Sequence, residues 1–385
     1  MRQITLLIIL LLCLPVSYAL VCGQSITEST VLTEDLYCGQ TNGVVIAANN
    51  VILDCNGHRV STEFHFEKIG IYSYNSENVT IINCVVNGSK TGIKIGDSLP
   101  LFKEDRQYEY PSNSKIINNT VHDTDFGIKI KEGQNNTIAN NTIWNTIISA
   151  IDTVQAGNLN ITNNRIYSRG EPLSIGSSGD LIIKDNNIEG WKVGATDNMI
   201  SGANSFHFIG NSVKNVDCLF LDEVPDAIIV NNTFLFIDDL GTCIYLGVGC
   251  DNALIHNNIF YTNYGGVWGI DIAVNNNANV SNNNLTGMSR GVMVIHSTNT
   301  IEHNNFWIST IKAGEDPGQS TWKNNYYMAY DQPQEGCDDA NSNGICDDPY
   351  HLYGGSNYDN TPYNTPSGWL KIKHYHLERF EDTHE

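Results

Sequence analysis

The chain has 385 residues, of which 42 are Asp or Glu and 21 are Lys or Arg, giving a net charge of −21. So acidic a chain argues against nucleic acid or anionic lipid as partner. It also carries 10 cysteines, a number suited to an oxidising compartment.

Residues 1–19 read as a secretory leader. Arg2 supplies the positive start, Leu6 to Leu14 the apolar stretch, and Ser17, Tyr18 and Ala19 the small-residue cleavage pattern. Cleavage there removes Arg2 and leaves 20 basic against 42 acidic residues, a charge of −22. No later segment reaches the roughly 18 apolar residues of a membrane span, so no transmembrane anchor is expected. Residues 20–50 read as an amino-terminal cap with a polar hairpin, which Cys22 and Cys38 flank as an expected bridge.

From 51 to 327 the sequence repeats. An asparagine recurs at Asn119, Asn141, Asn164, Asn186, Asn211, Asn232, Asn258, Asn283, Asn304 and Asn325, at gaps of 21 to 26 residues. Most follow a second Asn and lie between short apolar runs, as in Ile116-Ile117-Asn118-Asn119-Thr120-Val121. Such a period predicts a solenoid with one coil per repeat, about twelve in all. Each coil carries an alternating strand of the type Gly92-Ile93-Lys94-Ile95 or Gly269-Ile270-Asp271-Ile272. The Asn pair breaks strand alternation, so the chain must bend there. Asparagine tolerates the left-handed conformation of such a bend, and stacked inside the coils its amides can bond in a ladder.

Cys55 and Cys84 take the Asn position in the first two coils. A strand spacing of about 4.8 Å lets them bridge. Cys218 and Cys243 precede equivalent strands and form a further expected pair, leaving Cys250 over unless it takes the place of either. Between the second and third coils lies a charged, aromatic insertion, 98–112, of the kind that often serves as a lid or binding loop.

Counting back from each ladder position gives the outward residue of each Gly-Ile-x-Ile strand: Tyr72, Lys94, Lys129, Asp152, Ser174, Met199, Phe220, Tyr245, Asp271 and Met293. Lys94, Lys129 and Asp152 then sit side by side. A cation next to a carboxylate can polarise and deprotonate a sugar acid, as a polysaccharide lyase or epimerase requires. The same pair also stabilises a sheet with no catalysis. Phe220 and Tyr245 offer flat faces to sugar rings. Nine Asn-x-Ser/Thr sequons occur, several of them where the repeat itself demands Asn.

Residues 328–366 read as a carboxy-terminal cap built on Asp339-x-Asn341-x-Asn343-Gly344-Ile345-x-Asp347. Side-chain oxygens at positions 1, 3, 5 and 9, Gly at 6 and the Ile345 carbonyl at 7 match most of a calcium loop. Position 12 is Tyr350 instead of Glu, with Asp348 or Asp359 as substitutes. The expected cofactor is therefore structural calcium, with no organic cofactor, and Cys337 and Cys346 would bridge the loop. Residues 367–385 read as a tail with a short amphipathic helix.

The coils resemble the parallel β-helix repeat family. Val51-Ile-Leu-Asp-Cys-Asn-Gly-His58 is similar to its opening coil. Asn325-Tyr-Tyr-Met-Ala-Tyr330, the loop from Asp339 to Tyr350, and Asp359-Asn-Thr-Pro362 resemble the terminus of NosD-like secreted proteins. The resemblance implies an all-β, right-handed parallel β-helix. It leaves function open, because the fold carries lyases, hydrolases, epimerases and non-catalytic surface proteins. A copper role does not follow, since the chain has only 5 Met and its 11 His are scattered. The reading is a secreted or surface protein that binds a polysaccharide or glycoconjugate without turnover. The alternatives are a lyase or uronate epimerase using Lys129, Asp152 and Lys94, and a structural envelope component.

Overall fold

The computed structural model describes residues 20–366 except 64–66, 75, 97–110, 178, 191–197, 217–218, 237–240, 264–265, 276, 297, 308–313, 316–319 and 353–356. The leader, the tail and nearly all of the insertion lie outside the described residues.

The fold is an all-β solenoid of about eleven turns. The repeat suggests one more because n stacked strands close n − 1 turns. Each turn has three faces. The first carries the strand before the Asn pair, from Ile52–Asp54 and Thr80–Ile82 on to Thr321–Lys323. The second carries the strand after it, and the third the Gly-Ile-x-Ile strand. Thr120–Lys131 and Thr142–Ala156 run round the corner between the second and third faces unbroken, joining both into one 24-stranded sheet. Among the described residues every strand pairing is parallel except that of Tyr350–His351 with Tyr358–Asp359.

Alternation puts one side of every strand in the core. Ile71, Ile93, Ile128, Ile151 and Leu173 stack coil on coil with no exposure. Phe234 and Phe260 stack likewise, their rings 4.9 Å apart and 5° from parallel, and Phe208 packs against Phe234 across the core from the first face at 6.2 Å. The recurring glycine is fixed by space at the corner into the third face. A Cβ at Gly92 would lie 2.3 Å from Val121 Cγ1 and 2.7 Å from the Gly127 carbonyl.

The Asn pair divides its two tasks. Its first member makes the bend in the left-handed region: φ is 57° at Asn118, 56° at Asn140, 59° at Asn231 and 58° at Asn257. Its second member forms the buried ladder. Asn119 donates from its backbone N–H and from Nδ2 to Asn141 Oδ1, at 2.9 and 3.0 Å, and from Nδ2 to the Ile81 carbonyl at 3.0 Å. This pattern repeats to Asn325.

Both ladder ends are closed. At the start, the Cys84 N–H donates to Asn119 Oδ1 at 2.9 Å, and Cys84 is bridged to Cys55 in the previous coil, with Cα atoms 4.7 Å apart. At the far end Asp359, fully buried, accepts from Asn325 N–H and Nδ2 at 3.0 and 2.9 Å. Asp359 therefore ends the ladder inside the coil and is no ligand of the terminal loop. A terminal position needs only to accept, which suits a carboxylate better than an amide.

Cys22–Cys38 and Cys337–Cys346 are also bridged. Cys218 lies outside the described residues, so its pairing with Cys243 is not placed; Cys243 is buried. Cys250 is an unbridged buried thiol whose pKa burial pushes up to about 11. Replacing Cys55 and Cys84 together by serine is expected to cost about 3–4 kcal/mol, the loop-closure term for a separation of 29 residues. Urea unfolding of oxidised wild type against the double variant measures it. Loss of much less than about 1 kcal/mol would mean the bridge adds little beyond the coil stacking it spans.

Candidate functional site

The outward column of the third face runs Tyr72, Lys94, Lys129, Asp152, Ser174, Met199, Phe220, Tyr245, Asp271 and Met293, each in register with the next. The column read from spacing is thus the column of the fold. What the side chains do is a separate matter. Lys129 Nζ forms an ion pair with Asp152 and lies 3.9 Å from the centre of the Phe126 ring. The two charged side chains are 16 % and 11 % exposed. Lys94 Nζ instead leans toward the opposite neighbour, 5.2 Å from the Tyr72 ring centre. The three are adjacent in register, and Lys129 and Asp152 are engaged with each other.

Further along the column Phe220 and Tyr245 stack with centroids 4.8 Å apart and planes 17° apart. Both remain partly exposed. At that spacing the two planes cover each other, so the pair turns ring edges outward over two coils. Asp271 follows, only 7 % exposed. Burial raises its carboxyl above the ordinary range, with Arg290 opposing. Arg290 lies over the Trp268 ring, 4.1 Å from its centre.

A second stripe, on the second face, escaped the sequence reading. His122, Trp144, Tyr167, Glu189 and Lys214 are in register there. His122 and Trp144 stack at 4.3 Å and 6°. His122 Nδ1 is 2.7 Å from Asp123 Oδ2, and Asn145 Nδ2 donates to the other Asp123 oxygen. Glu189 and Lys214 pair at 2.8 Å. The signal was available: each of these residues stands three positions after a ladder asparagine.

The terminal loop is held by its own side chains. Asp339 accepts from the Asn343 and Gly344 amides, each at 2.9 Å, and Asp347 Oδ2 from Ala340 N–H at 2.9 Å. Asn343 Oδ1 accepts from Ile345 N–H at 2.9 Å. The oxygens gathered here are the hard donors calcium prefers. Asn341, however, turns Nδ2 toward Asp347 Oδ1 at 3.2 Å, so a bound cation requires that amide to rotate. Among the described residues no group of three or more His, Cys, Asp or Glu is placed to hold a metal.

A closed stack of parallel coils around an asparagine ladder defines a β-solenoid. The family described as "Right handed beta helix region" matches residues 42–213 and 149–306, and the chain belongs to it. No curated protein matches in sequence. Among solved structures it is similar to a mutant of the periplasmic alginate epimerase AlgG, at 14 % identity and a TM-score of 0.53, covering 77 % of this chain and 74 % of that one. It is also similar to a mannuronic acid specific polysaccharide family 6 lyase from human gut microbiota, at 11 % identity, TM-score 0.45 and coverage of 82 % and 85 %. The A-module of the Azotobacter vinelandii mannuronan C-5 epimerase AlgE6 matches at 11 % identity and a TM-score of 0.43, over 78 % and 85 %. The first of these likenesses bears on the fold alone. Among the described residues no helix is long and apolar enough to cross a membrane.

Proposed function

We propose that this is a secreted or surface protein whose third face binds carbohydrate without turning it over. The observation that carries the reading is the stacked Phe220–Tyr245 pair on an outward column. The outward ring edges form an apolar step two coils long against which sugar C–H groups can pack, and the polar residues along the column can meet the sugar hydroxyls. Three disulfides suit an extracytoplasmic location. The fold shared with an alginate epimerase sets which glycans to try first and carries no more than that.

The test is a glycan panel probed with wild type and with Phe220→Ala/Tyr245→Ala. Stacking worth about 0.5–1.5 kcal/mol per ring predicts an affinity loss of about tenfold for the double variant. Equal binding by both proteins would remove Phe220 and Tyr245 from the surface.

The lyase or epimerase reading draws on the contact of Lys129 with Asp152, with Lys94 beside them. Their mutual ion pair weighs against it, since proton abstraction requires one of them to be open to substrate. Incubation with acidic polysaccharides, read by the ultraviolet absorbance of unsaturated product, decides the lyase. A signal abolished by Lys129→Ala would overturn the reading without turnover.

For the terminal loop we propose a structural calcium ion held by Asp339, Asn341, Asn343, Asp347 and the Ile345 carbonyl, fastening the carboxy-terminal cap. Millimolar calcium is expected to raise the melting temperature of wild type and not of Asp339→Asn, with a chelator reversing the rise. Identical melting curves with calcium and chelator would reduce the loop to a set of Asx turns.

A further inference from the structure

One carboxyl beside the proposed contact surface has no structural explanation. Asp271 follows Tyr245 in the outward column. Its Oδ1 is sealed from solvent without a hydrogen-bond partner among the described residues. Asp359 shows how this chain satisfies a buried carboxyl it uses for structure. There Oδ2 receives two donors from Asn325 and the Tyr327 hydroxyl, and Oδ1 receives Thr361 N–H. Asp271 has no comparable set. Its natural counter-charge is one coil away, because Arg290 acts on it electrostatically. Yet the guanidinium lies over Trp268, its Cζ 4.1 Å from the ring centre, and forms no ion pair with Asp271. Arg290 is in register with Trp268 and Asp271 with Met293, so acid and arginine share this part of the strand pair without joining. Asp271 Oδ1 is sealed and Oδ2 is not, so a ligand seated here can reach Oδ2 and the guanidinium together.

We infer that Asp271, Arg290, Trp268 and Tyr245 form a subsite for a carboxylate-bearing sugar. Arg290 donates to the sugar carboxylate, and the Asp271 hydroxyl, carried on the unsealed Oδ2, donates to the same group. The Tyr245 and Trp268 rings lie beside its apolar face. The inference rests on the carbohydrate reading above and names the class of sugar. Guanidinium suits a planar carboxylate better than any other protein cation. A neutral carboxylic acid suits it as donor, whereas an ionised one would repel it.

Regulation by pH follows. The strands packed against Asp271 are Thr242–Leu246 and Arg290–Ile295. The first brings no charged residue and the tyrosine phenol of Tyr245; the second brings only Arg290. Desolvation raises the Asp271 carboxyl and Arg290 lowers it, with desolvation the larger. Binding therefore strengthens as pH falls through the raised Asp271 pKa, as long as the sugar carboxylate, with a pKa of about 3.5, stays ionised.

The experiment is calorimetric titration of the full chain with a hexauronate and, separately, with cellohexaose, from pH 4.5 to 7.5. Wild type is expected to bind the hexauronate more tightly at low pH. Arg290→Gln is expected to lower that affinity about tenfold and leave cellohexaose unchanged. Asp271→Asn, whose amide donates at every pH, is expected to bind the hexauronate with a flat pH profile. Melting curves confirm that each variant is folded. Equal hexauronate binding by wild type and Arg290→Gln, or a pH profile unchanged by Asp271→Asn, overturns the subsite. If neither hexamer binds and no other glycan does, the carbohydrate reading fails instead.

Discussion

Asn232→Ala is expected to destabilise the protein by about 4 kcal/mol, a large part of the 5–15 kcal/mol by which ordinary domains are stable. Asn232 Oδ1 accepts both the Asn211 N–H and the Asn211 amide, at 2.8 and 3.1 Å. Its own Nδ2 serves the Phe208 carbonyl at 2.7 Å. Truncation leaves two donors and one acceptor buried without partners, and each such group costs about 1–3 kcal/mol. The side chain is 1 % exposed, so water cannot repair the loss. The neighbouring Asn231→Gly is the control. Asn231 sits at φ 59°, where glycine is at ease, and the expected change is within about 1 kcal/mol. Urea unfolding followed by circular dichroism compares the two. Because coils couple mainly to their neighbours, the broken rung is also expected to broaden the transition. Equal costs for Asn231→Gly and Asn232→Ala would refute the division of tasks within the pair.

Asp359→Ala is expected to cost about 3 kcal/mol and to free the last coil. It orphans the Asn325 N–H and amide, the Tyr327 hydroxyl 3.2 Å away, and the Thr361 N–H 3.1 Å away. A pH effect accompanies it. Burial raises the Asp359 carboxyl above 3.8, outweighing the donors that lower it. A folded-state pKa above the unfolded one means the group's contribution is fully present below the unfolded value near 3.8. That contribution is lost as pH rises through the folded value. Asp359→Asn does not titrate, so the stability of wild type relative to this variant should decline from pH 4 toward neutrality. Urea unfolding of both proteins across that range gives the slope. A wild-type advantage that grows with pH would mean the four donors favour the ionised form.

The parts of this molecule legible in the sequence are those that the backbone ladder dictates. Parallel coils stack like residue on like residue, so a period of 21 to 26 residues marks the ladder from Asn119 to Asn325 and most of the column from Tyr72 to Met293. Cys55 and Cys84, 29 residues apart, were placed by their position in the repeat. Side-chain torsions follow no such period. Spacing placed Lys94, Lys129 and Asp152 together, but not the choice of Asp152 and Phe126 as partners for Lys129, nor of Tyr72 for Lys94. Asp359 was hidden for another reason. It stands 34 residues beyond Asn325, after the bridged loop, and so falls off the repeat. The glycine of the third-face strand was read as part of a motif, and only the 2.3 Å approach of Val121 to a Cβ at Gly92 gives its cause. The His122–Trp144–Tyr167 stripe obeyed the period and was still passed over, because outward residues were counted on one face only.

A crystal of the protein soaked with an oligosaccharide that it binds shows directly where the sugar lies. Sugar is expected against Phe220 and Tyr245 on the third face, running along the column toward Asp271. Sugar seated over Trp144 and Tyr167 on the second face, with Phe220 and Tyr245 bare, would contradict that placement.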